Sequence, residues 1–132
     1  MRDYQRRRNN IYVLPSDLWY RTLYLIRGYD RMKEEYEDRI EEGIGIDTEN
    51  VPSGKTYKNG DPTGIKAVKF SKLAGQIRAI EMAKLVVPYE YMDGVWNNIM
   101  THDPYPPDAN PRTYGRWKGR YVYEVARNMD WI

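Results

Sequence analysis

Cysteine is absent from the sequence, so the chain can form neither a disulfide framework nor a zinc site built on thiolates. Its one histidine, His102, has no second histidine or cysteine with which to hold a metal ion. The serines lack a paired base, and neighbouring carboxylates on an exposed helix face do not make a catalytic dyad. These absences predict a protein that is not an enzyme and that uses no metal or other cofactor.

Long apolar runs are also missing from the chain. No stretch approaches the roughly 20 residues that a membrane-spanning helix requires. The arginines near the N-terminus are not followed by an apolar segment of signal-peptide length. We therefore expect a cytoplasmic protein without a membrane partner. The 132 residues, of which 41% are hydrophobic, suffice for one domain with a core.

The net charge of +2 conceals three segments of different charge. Residues 1–10 carry four arginines and one aspartate, and residues 112–132 carry five basic and two acidic side chains, so each end has a charge of +3. Residues 11–111 must then carry −4. Two basic ends around an acidic middle are typical of a protein that binds nucleic acid and also contacts a protein.

Apolar residues recur at steps of three and four in four segments, which predicts four helices. The first helix begins at Ser16 or Asp17, either of which can cap it, and continues to about residue 42. Within it, Gly28 marks either a bend or a close helix crossing. The other three span residues 61–87, 89–100 and 113 onwards. No strand-like alternation appears. The predicted fold is all-α, with two long antiparallel helices and a C-terminal, helix-turn-helix-like pair of shorter helices.

The distribution of charged residues, glycine and proline along the sequence predicts how the chain is organised. Residues 1–12 are expected to form a flexible basic arm, and residues 13–132 a single helical domain. Within that domain, residues 43–60 have the composition of a mobile loop, and residues 103–112 form a proline-rich loop that cannot be helical. Trp96 and Trp117 fall on apolar helix faces, so both are predicted to be mostly buried.

The last helix has two faces of different character. Trp117, Tyr121, Val125 and Met129 recur every four residues and predict an apolar face, with Thr113 as the N-cap of the helix. A second face carries the arginine stripe, which consists of Arg112, Arg116, Arg120 and Arg127. Arginine can bond phosphates and the acceptor edge of guanine. A core helix whose solvent face happens to be basic would show the same pattern.

Two sets of charged residues are therefore candidate binding residues. The candidates for DNA binding are the stripe, one lysine and the N-terminal arginines: Arg112, Arg116, Lys118, Arg120, Arg127, Arg6, Arg7 and Arg8. The candidates for contact with a protein lie at the acidic end of the first predicted helix: Glu34, Glu35, Asp38, Glu41 and Glu42. Carboxylates near the C-terminal end of a helix oppose its dipole, which favours a functional reason over a merely solvated helix end.

Short segments in a consistent order resemble a known family. They are Leu14-Pro15 and the sequences at 24–31, 61–63, 79–83, 87–91, 95–99, 105–110 and 113–118. The closest is Tyr-Pro-Pro-Asp-Ala-Asn at 105–110, which leads into Thr-Tyr-Gly-Arg-Trp-Lys at 113–118. Together they resemble the RinA/ArpU-like phage late-gene transcription regulators, a group distantly similar to the promoter-reading region 4 of sigma factors.

The resemblance implies an all-helical fold with a C-terminal helix-turn-helix. It also implies binding of double-stranded DNA at a phage promoter together with host RNA polymerase or another host protein, in the bacterial cytoplasm. The sequence departs from an ordinary helix-turn-helix in two ways. The loop before the last helix is much longer than three or four residues, and Gly115 and Gly119 interrupt that helix.

Two other functions fit the same sequence. One is a phage-encoded inhibitor that blocks a host nuclease or defence enzyme, as anti-CRISPR proteins do, with an acidic face that imitates phosphates. The other is a structural or packaging adaptor. A continuous basic surface from the last helix would favour the regulator, whereas a larger acidic patch would favour the inhibitor.

Overall fold

The computed structural model describes residues 3–43 and 62–132, and within these ranges it is all-helical, as predicted. The helices are α1 (Ser16–Arg27), α2 (Tyr29–Glu41), α3 (Pro62–Ala83), α4 (Tyr89–Thr101) and α5 (Pro111–Asn128), with a short 3₁₀ turn at Lys84–Val86. None of these helices is both long and apolar enough to cross a membrane. The loop predicted at residues 43–60 lies, apart from Gly43, outside the described residues.

The first predicted helix is in fact two helices, α1 and α2, which are separated by Gly28. The backbone amide of Gly28 donates hydrogen bonds to the carbonyls of Tyr24 and Leu25, and the Gly28 carbonyl accepts a hydrogen bond from the Met32 amide. Its backbone departs from the helical conformation, with ψ near 5°. The prediction of one long helix was therefore wrong, while the bend at Gly28 is present. This break allows α1 to pack against α4 and α5 while α2 packs against α3.

Asn110, and not Thr113 as predicted, caps α5. Its side-chain oxygen accepts from the Arg112 amide at 2.8 Å. Pro111 occupies the first helical position, where its fixed φ suits the helix and its missing amide would have no partner in any case. The predicted capping of α1 by Ser16 or Asp17 is also absent, since both residues lie inside the helix. The proline-rich loop predicted at residues 103–112 consequently ends two residues early, because Pro111 and Arg112 belong to α5.

The core is centred on α5, which packs against α1, α3 and α4. Tyr121, Val122 and Val125 of α5 are fully buried, and the Tyr121 hydroxyl donates to the carbonyl of Ile80 in α3. This bond satisfies the polar tip of a side chain that is otherwise surrounded by apolar groups. The predicted apolar face of α5 is thus buried at its centre, whereas Trp117 at one end is half-buried.

The two tryptophans predicted to be mostly buried are partly buried and pack against the edge of the core. Trp96 packs edge-on against Tyr29, and the Lys84 ammonium lies 4.0 Å from its ring centroid. Trp117 stacks on Tyr91 near the surface. The tryptophan that fills the core is Trp19 of α1, of which only 2% is exposed. An amphipathic pattern places these rings on the inner face of a helix but cannot show how near the core each one lies.

Gly94 allows α4 to approach the proline-rich loop and α5. A Cβ atom at this position would lie 2.6 Å from Tyr114 Cε1 and 2.8 Å from Pro106 Cδ. We expect Gly94→Ala to lower the free energy of unfolding by on the order of 1 kcal/mol, because overpacking outweighs the better helix propensity of alanine.

The matched control is Gly75→Ala in α3, where an added Cβ would meet no atom within 4 Å. Alanine at this exposed position should raise the free energy of unfolding by up to about 1 kcal/mol. Urea denaturation of the two variants measures both values. A Gly94→Ala variant as stable as the control would show that the close approach does not exist.

Candidate nucleic-acid interface

The N-terminal segment, residues 3–14, folds back onto the helices. Gln5 is 6% exposed, and its side chain closes the segment by donating to the Leu14 carbonyl at 2.9 Å and accepting from the Leu14 amide at 2.7 Å. The Trp19 indole donates to the Asp3 carbonyl at 2.7 Å. The flexible arm predicted for residues 1–12 does not anticipate these contacts, which fix the position of residues 3–14.

The Asp3 carboxylate anchors the start of this segment. It accepts a hydrogen bond from Arg27 of α1 and lies 3.3 Å from His102 Nε2. Burial opposes the charged carboxylate, but the hydrogen bonds and charges of Arg27 and His102 more than compensate and lower the pKa of Asp3. Arg27 Nε also donates to the Ile99 carbonyl. The lone histidine thus helps to hold the N-terminal segment against α1 and α4.

The same segment crosses the outer face of α5. The Tyr12 ring meets Tyr123 edge-on at 5.3 Å, and the Arg120 guanidinium lies 4.1 Å from the Tyr12 ring centroid. A Cβ atom on Gly119 would lie 3.5 Å from the side-chain nitrogen Nδ2 of Asn10. This is an ordinary van der Waals distance, so the N-terminal segment packs over α5 at Gly119 without requiring a glycine there. Both basic ends of the chain consequently lie on one side of the molecule.

A cavity of about 550 Å³, called the basic cavity below, separates the N-terminal segment from the start of α5. Four of the predicted DNA-binding residues line it, namely Arg6, Arg8, Arg112 and Lys118. Its other lining residues are Tyr4, Asn9, Asn98, Tyr105, Pro111 and Gly115. Among the residues that the structure describes, none that lines the cavity is acidic, so these side chains favour anions.

Lys118 is buried and cannot contact a DNA surface in the way predicted. Only 2% of it is exposed, and its ammonium donates to Asn98 Oδ1 at 2.8 Å. The Asn98 amide is itself oriented, since its nitrogen donates to the Asp103 carbonyl at 2.8 Å. Burial lowers the pKa of Lys118 to about 8, with Asp3 opposing and Arg27 reinforcing the shift. Lys118 is a residue of the cavity wall.

The arginine stripe divides into exposed and engaged residues. Arg112 and Arg116 are exposed at the start of α5. Arg120 donates to Glu124 at 3.1 Å and is half-buried under its contact with Tyr12. Arg127 is exposed but lies 3.7 Å from the same Glu124 carboxylate. Among the residues that the structure describes, Arg112 and Arg116 at the start of α5 are therefore the cations of the stripe that form no ion pair.

A second cavity of about 320 Å³ adjoins the first, and Asn9 lines both. Arg116, Trp117 and Arg120 line it from α5, and residues 9–12 line it from the N-terminal segment. Of the N-terminal arginines, Arg7 is exposed and donates to the Ser16 hydroxyl at 2.9 Å. Arg8 is exposed at the rim of the basic cavity. Arg8, Arg112 and Arg116 are thus exposed cations around the two cavities.

The predicted acidic surface lies on α2 and is largely exposed. Glu34, Asp38, Glu41 and Glu42 are all exposed. Glu35 differs, because its carboxylate pairs with Arg39 at 3.1 Å and with Arg31 at 3.8 Å. Four of the five predicted protein-contact residues therefore remain available to a partner, while Glu35 is already neutralised by its own helix.

Searches for similar proteins found no matching family, no matching curated protein and no matching solved structure. Any functional interpretation of this chain therefore depends on its own side chains. Within residues 3–43 and 62–132, no group of three or more histidines and carboxylates could hold a metal ion. The arginines of this surface are able to bind anions.

Sequence patterns missed several residues of this interface. Tyr12 and Asn10 were assigned to a flexible arm, and Asn98 and Tyr105 to a weak helix and a loop. Only one signal could have indicated them. The equal +3 charges of the two ends predict a shared ligand, and a shared ligand requires the two ends to be close together.

Proposed function

We propose that this protein is a non-enzymatic, DNA-binding transcription regulator that contacts duplex phosphates through one basic surface. The surface comprises three exposed arginines around the two cavities, one from the N-terminal segment and two from α5: Arg8, Arg112 and Arg116. The proposal is supported by the position of the N-terminal segment, which lies along α5. As a result, arginines more than a hundred residues apart in the sequence line two adjoining cavities. Arginine clusters of this kind supply the electrostatic part of DNA affinity.

In this proposal, α4 and α5 serve as the helix-turn-helix-like pair that the resemblance implies, and residues 102–110 serve as a long turn. The start of α5 faces the duplex, as the first residues of a recognition helix do. Tyr12 and Asn10 cover the middle of α5, so the N-terminal segment and the first two turns of α5 contact DNA together. The acidic end of α2 remains available for host RNA polymerase.

The test is the salt dependence of duplex affinity after Arg8, Arg112 and Arg116 are all changed to alanine. Each phosphate contact contributes about 0.9 to the slope of log K against log salt, so the slope should become shallower by roughly 2.7. Fluorescence anisotropy with a labelled duplex measures this slope. Arg120 is left unchanged because its hydrogen bond to Glu124 and its cation–π contact with Tyr12 support the fold.

The control variant changes Lys66, Lys69 and Lys72 to alanine. These lysines are exposed on α3, so this variant loses the same net charge from a different helix. Its slope should stay close to that of the parent protein. Equal slopes in the two variants, with both proteins folded by circular dichroism, would show that the arginines form no specific surface.

The exposed carboxylates of α2 favour a second candidate function, inhibition of a host nuclease or defence enzyme by an acidic surface. Changing Glu34, Asp38, Glu41 and Glu42 to glutamine should then abolish inhibition of the target enzyme. The stability of the protein should stay the same or rise slightly, because repulsion between exposed like charges costs only tenths of a kcal/mol per pair. Loss of polymerase binding in the same variant, with duplex affinity retained, would instead support the regulator.

A further inference from the structure

The second cavity combines aromatic rings with guanidinium groups. Tyr12 and Trp117 line it, and so do Arg116 and Arg120 of α5. Among the residues that the structure describes, none that lines this cavity is acidic. Cations alone suffice to bind the phosphates of a duplex. The two rings therefore indicate a ligand that offers a flat apolar surface as well as negative charge.

Both rings are held in place by contacts within the protein. Trp117 is partly exposed, and it stacks on Tyr91 with an angle of 17° between the ring planes. Tyr12 meets Tyr123 edge-on, and the Arg120 guanidinium lies 4.1 Å from the centroid of the Tyr12 ring. A side chain that is already ordered loses little conformational entropy when a ligand packs against it.

Ile11 adds an exposed apolar side chain to the wall of the same cavity. Although 84% of Ile11 is exposed, the chain around it is fixed by Asn10, whose side chain donates to the Arg6 carbonyl at 2.7 Å and accepts from the Tyr12 amide at 2.9 Å. Single exposed apolar residues are common on protein surfaces. Ile11 differs from most of them because it lines a cavity together with two rings. Some DNA-binding proteins use such apolar side chains as wedges against unstacked bases.

Asn9 supplies a polar group where the two cavities adjoin. It is exposed and lines both of them. Its φ of 53° lies in the left-handed region, which asparagine adopts more readily than most residues do. An asparagine amide both donates and accepts, so it is able to hydrogen-bond with the edge of a base. On the basic cavity, Arg8 and Arg112 continue the series of cations.

This set of side chains matches the parts of one unpaired nucleotide. Aromatic rings stack on a nucleobase, an amide bonds its edge, and guanidinium groups bind the neighbouring phosphates. A volume of about 320 Å³ lies at the lower end of the range of small-molecule sites. A base inside a paired duplex is stacked on its neighbours and must leave that stack before it can enter a pocket.

We propose that the second cavity binds one unpaired base of a DNA strand, which packs against Trp117 and Ile11 while Arg116 binds the adjacent phosphate. The inference rests on the proposed DNA-binding function and names the feature of the DNA that the protein distinguishes, a position where a base has lost its partner. The paired DNA next to that position is bound by Arg8 and Arg112.

The experiment compares the affinity of the full-length protein for three labelled DNAs by fluorescence anisotropy. The first is a fully paired duplex, the second is the same duplex with one unpaired adenine, and the third has an abasic site in place of that adenine. The parent protein should bind the second DNA roughly tenfold more tightly than the first, which is within the range that stacking of one base provides. The third DNA interrupts the duplex but offers no base, so it should bind like the first.

Trp117→Leu tests whether the preference arises in this cavity. The substitution keeps an apolar side chain on α5 but removes the ring, so most of the preference for the unpaired adenine should disappear. The matched control is Trp96→Leu on α4, which removes another partly buried tryptophan outside the residues that line the cavity, and its preference should equal that of the parent. Ile11→Ala changes an exposed residue and should also reduce the preference. It replaces Trp117→Leu if that variant does not fold.

Equal, measurable binding of the three DNAs by the parent protein would overturn the inference but not the duplex-binding proposal, and would favour an apolar side chain of a protein partner as the occupant. The inference is also overturned if the abasic DNA binds as tightly as the unpaired adenine, or if Trp117→Leu keeps the preference as Trp96→Leu does. Tight binding of the DNA with the unpaired adenine alone would support the inference and overturn the duplex-binding proposal. Failure to bind any of the three DNAs would overturn both.

Discussion

Replacing Trp19 by alanine should lower the free energy of unfolding by about 3–5 kcal/mol, a large part of the stability of a domain of this size. Trp19 is 2% exposed in α1, so its removal leaves a cavity in the hydrophobic core, to which Leu14 and Leu23 also belong. The substitution also removes the indole that donates to the Asp3 carbonyl at 2.7 Å. The N-terminal segment would then lose one of its attachments to α1.

Trp117→Ala is the matched control for this prediction. Trp117 is only half-buried and stacks on Tyr91 near the surface, so its loss should cost clearly less than that of Trp19. Chemical denaturation followed by circular dichroism at 222 nm measures both free energies. A Trp19→Ala variant as stable as Trp117→Ala would mean that α1 is not packed as the structure shows.

The second large effect is a rise in stability with pH between about 8 and 10. Burial lowers the pKa of Lys118 to about 8, whereas in the unfolded chain it stays near 10.5. Between these values the unfolded state binds more protons than the folded state, so raising the pH favours folding. Below pH 8 the folded protein bears the full cost of the buried charge. The titration of Lys118 alone should contribute roughly 2 kcal/mol from pH 8 to pH 10.

Lys118→Met removes this titration, so its free energy of unfolding should vary much less over the same range. The measurement stops at pH 10 because the ionisation of tyrosines in the unfolded chain increasingly opposes the rise in stability near and above that pH. Burial and hydrogen bonding raise the pKa of Tyr29, Tyr105 and Tyr114 to about 12, so their ionisation in the unfolded chain destabilises the fold above pH 10. A parent protein whose stability changes from pH 8 to pH 10 in the same way as that of Lys118→Met would contradict the burial of Lys118.

Local patterns predicted much of the fold. The steps of three and four identified α3, α4 and α5 to within a few residues at each end, because amphipathic spacing reflects which face a helix buries. They did not separate α1 from α2. The bend depends on the different packing partners of the two helices, and the sequence shows only that Gly28 makes such a bend inexpensive.

The candidate interface was less predictable, since it depends on contacts between residues far apart in sequence. The arginine stripe was correctly located on α5, but periodicity alone could not show that Lys118 faces Asn98 and that Arg120 is covered by Tyr12. Tertiary packing decides which members of a charged helix face remain exposed. Similarly, the cluster of Asp3, Arg27 and His102 joins three distant segments, so no local motif identifies it.

The central claim is that the N-terminal segment and the start of α5 form one surface that binds duplex DNA. Nuclear magnetic resonance of the ¹⁵N-labelled protein, titrated with a short duplex at moderate salt, tests it most directly. We predict that the backbone amides of residues 6–9 and 112–116 shift together with one apparent affinity, while those at the acidic end of α2 do not. Shifts confined to α2, or shifts at only one of the two basic segments, would contradict the claim.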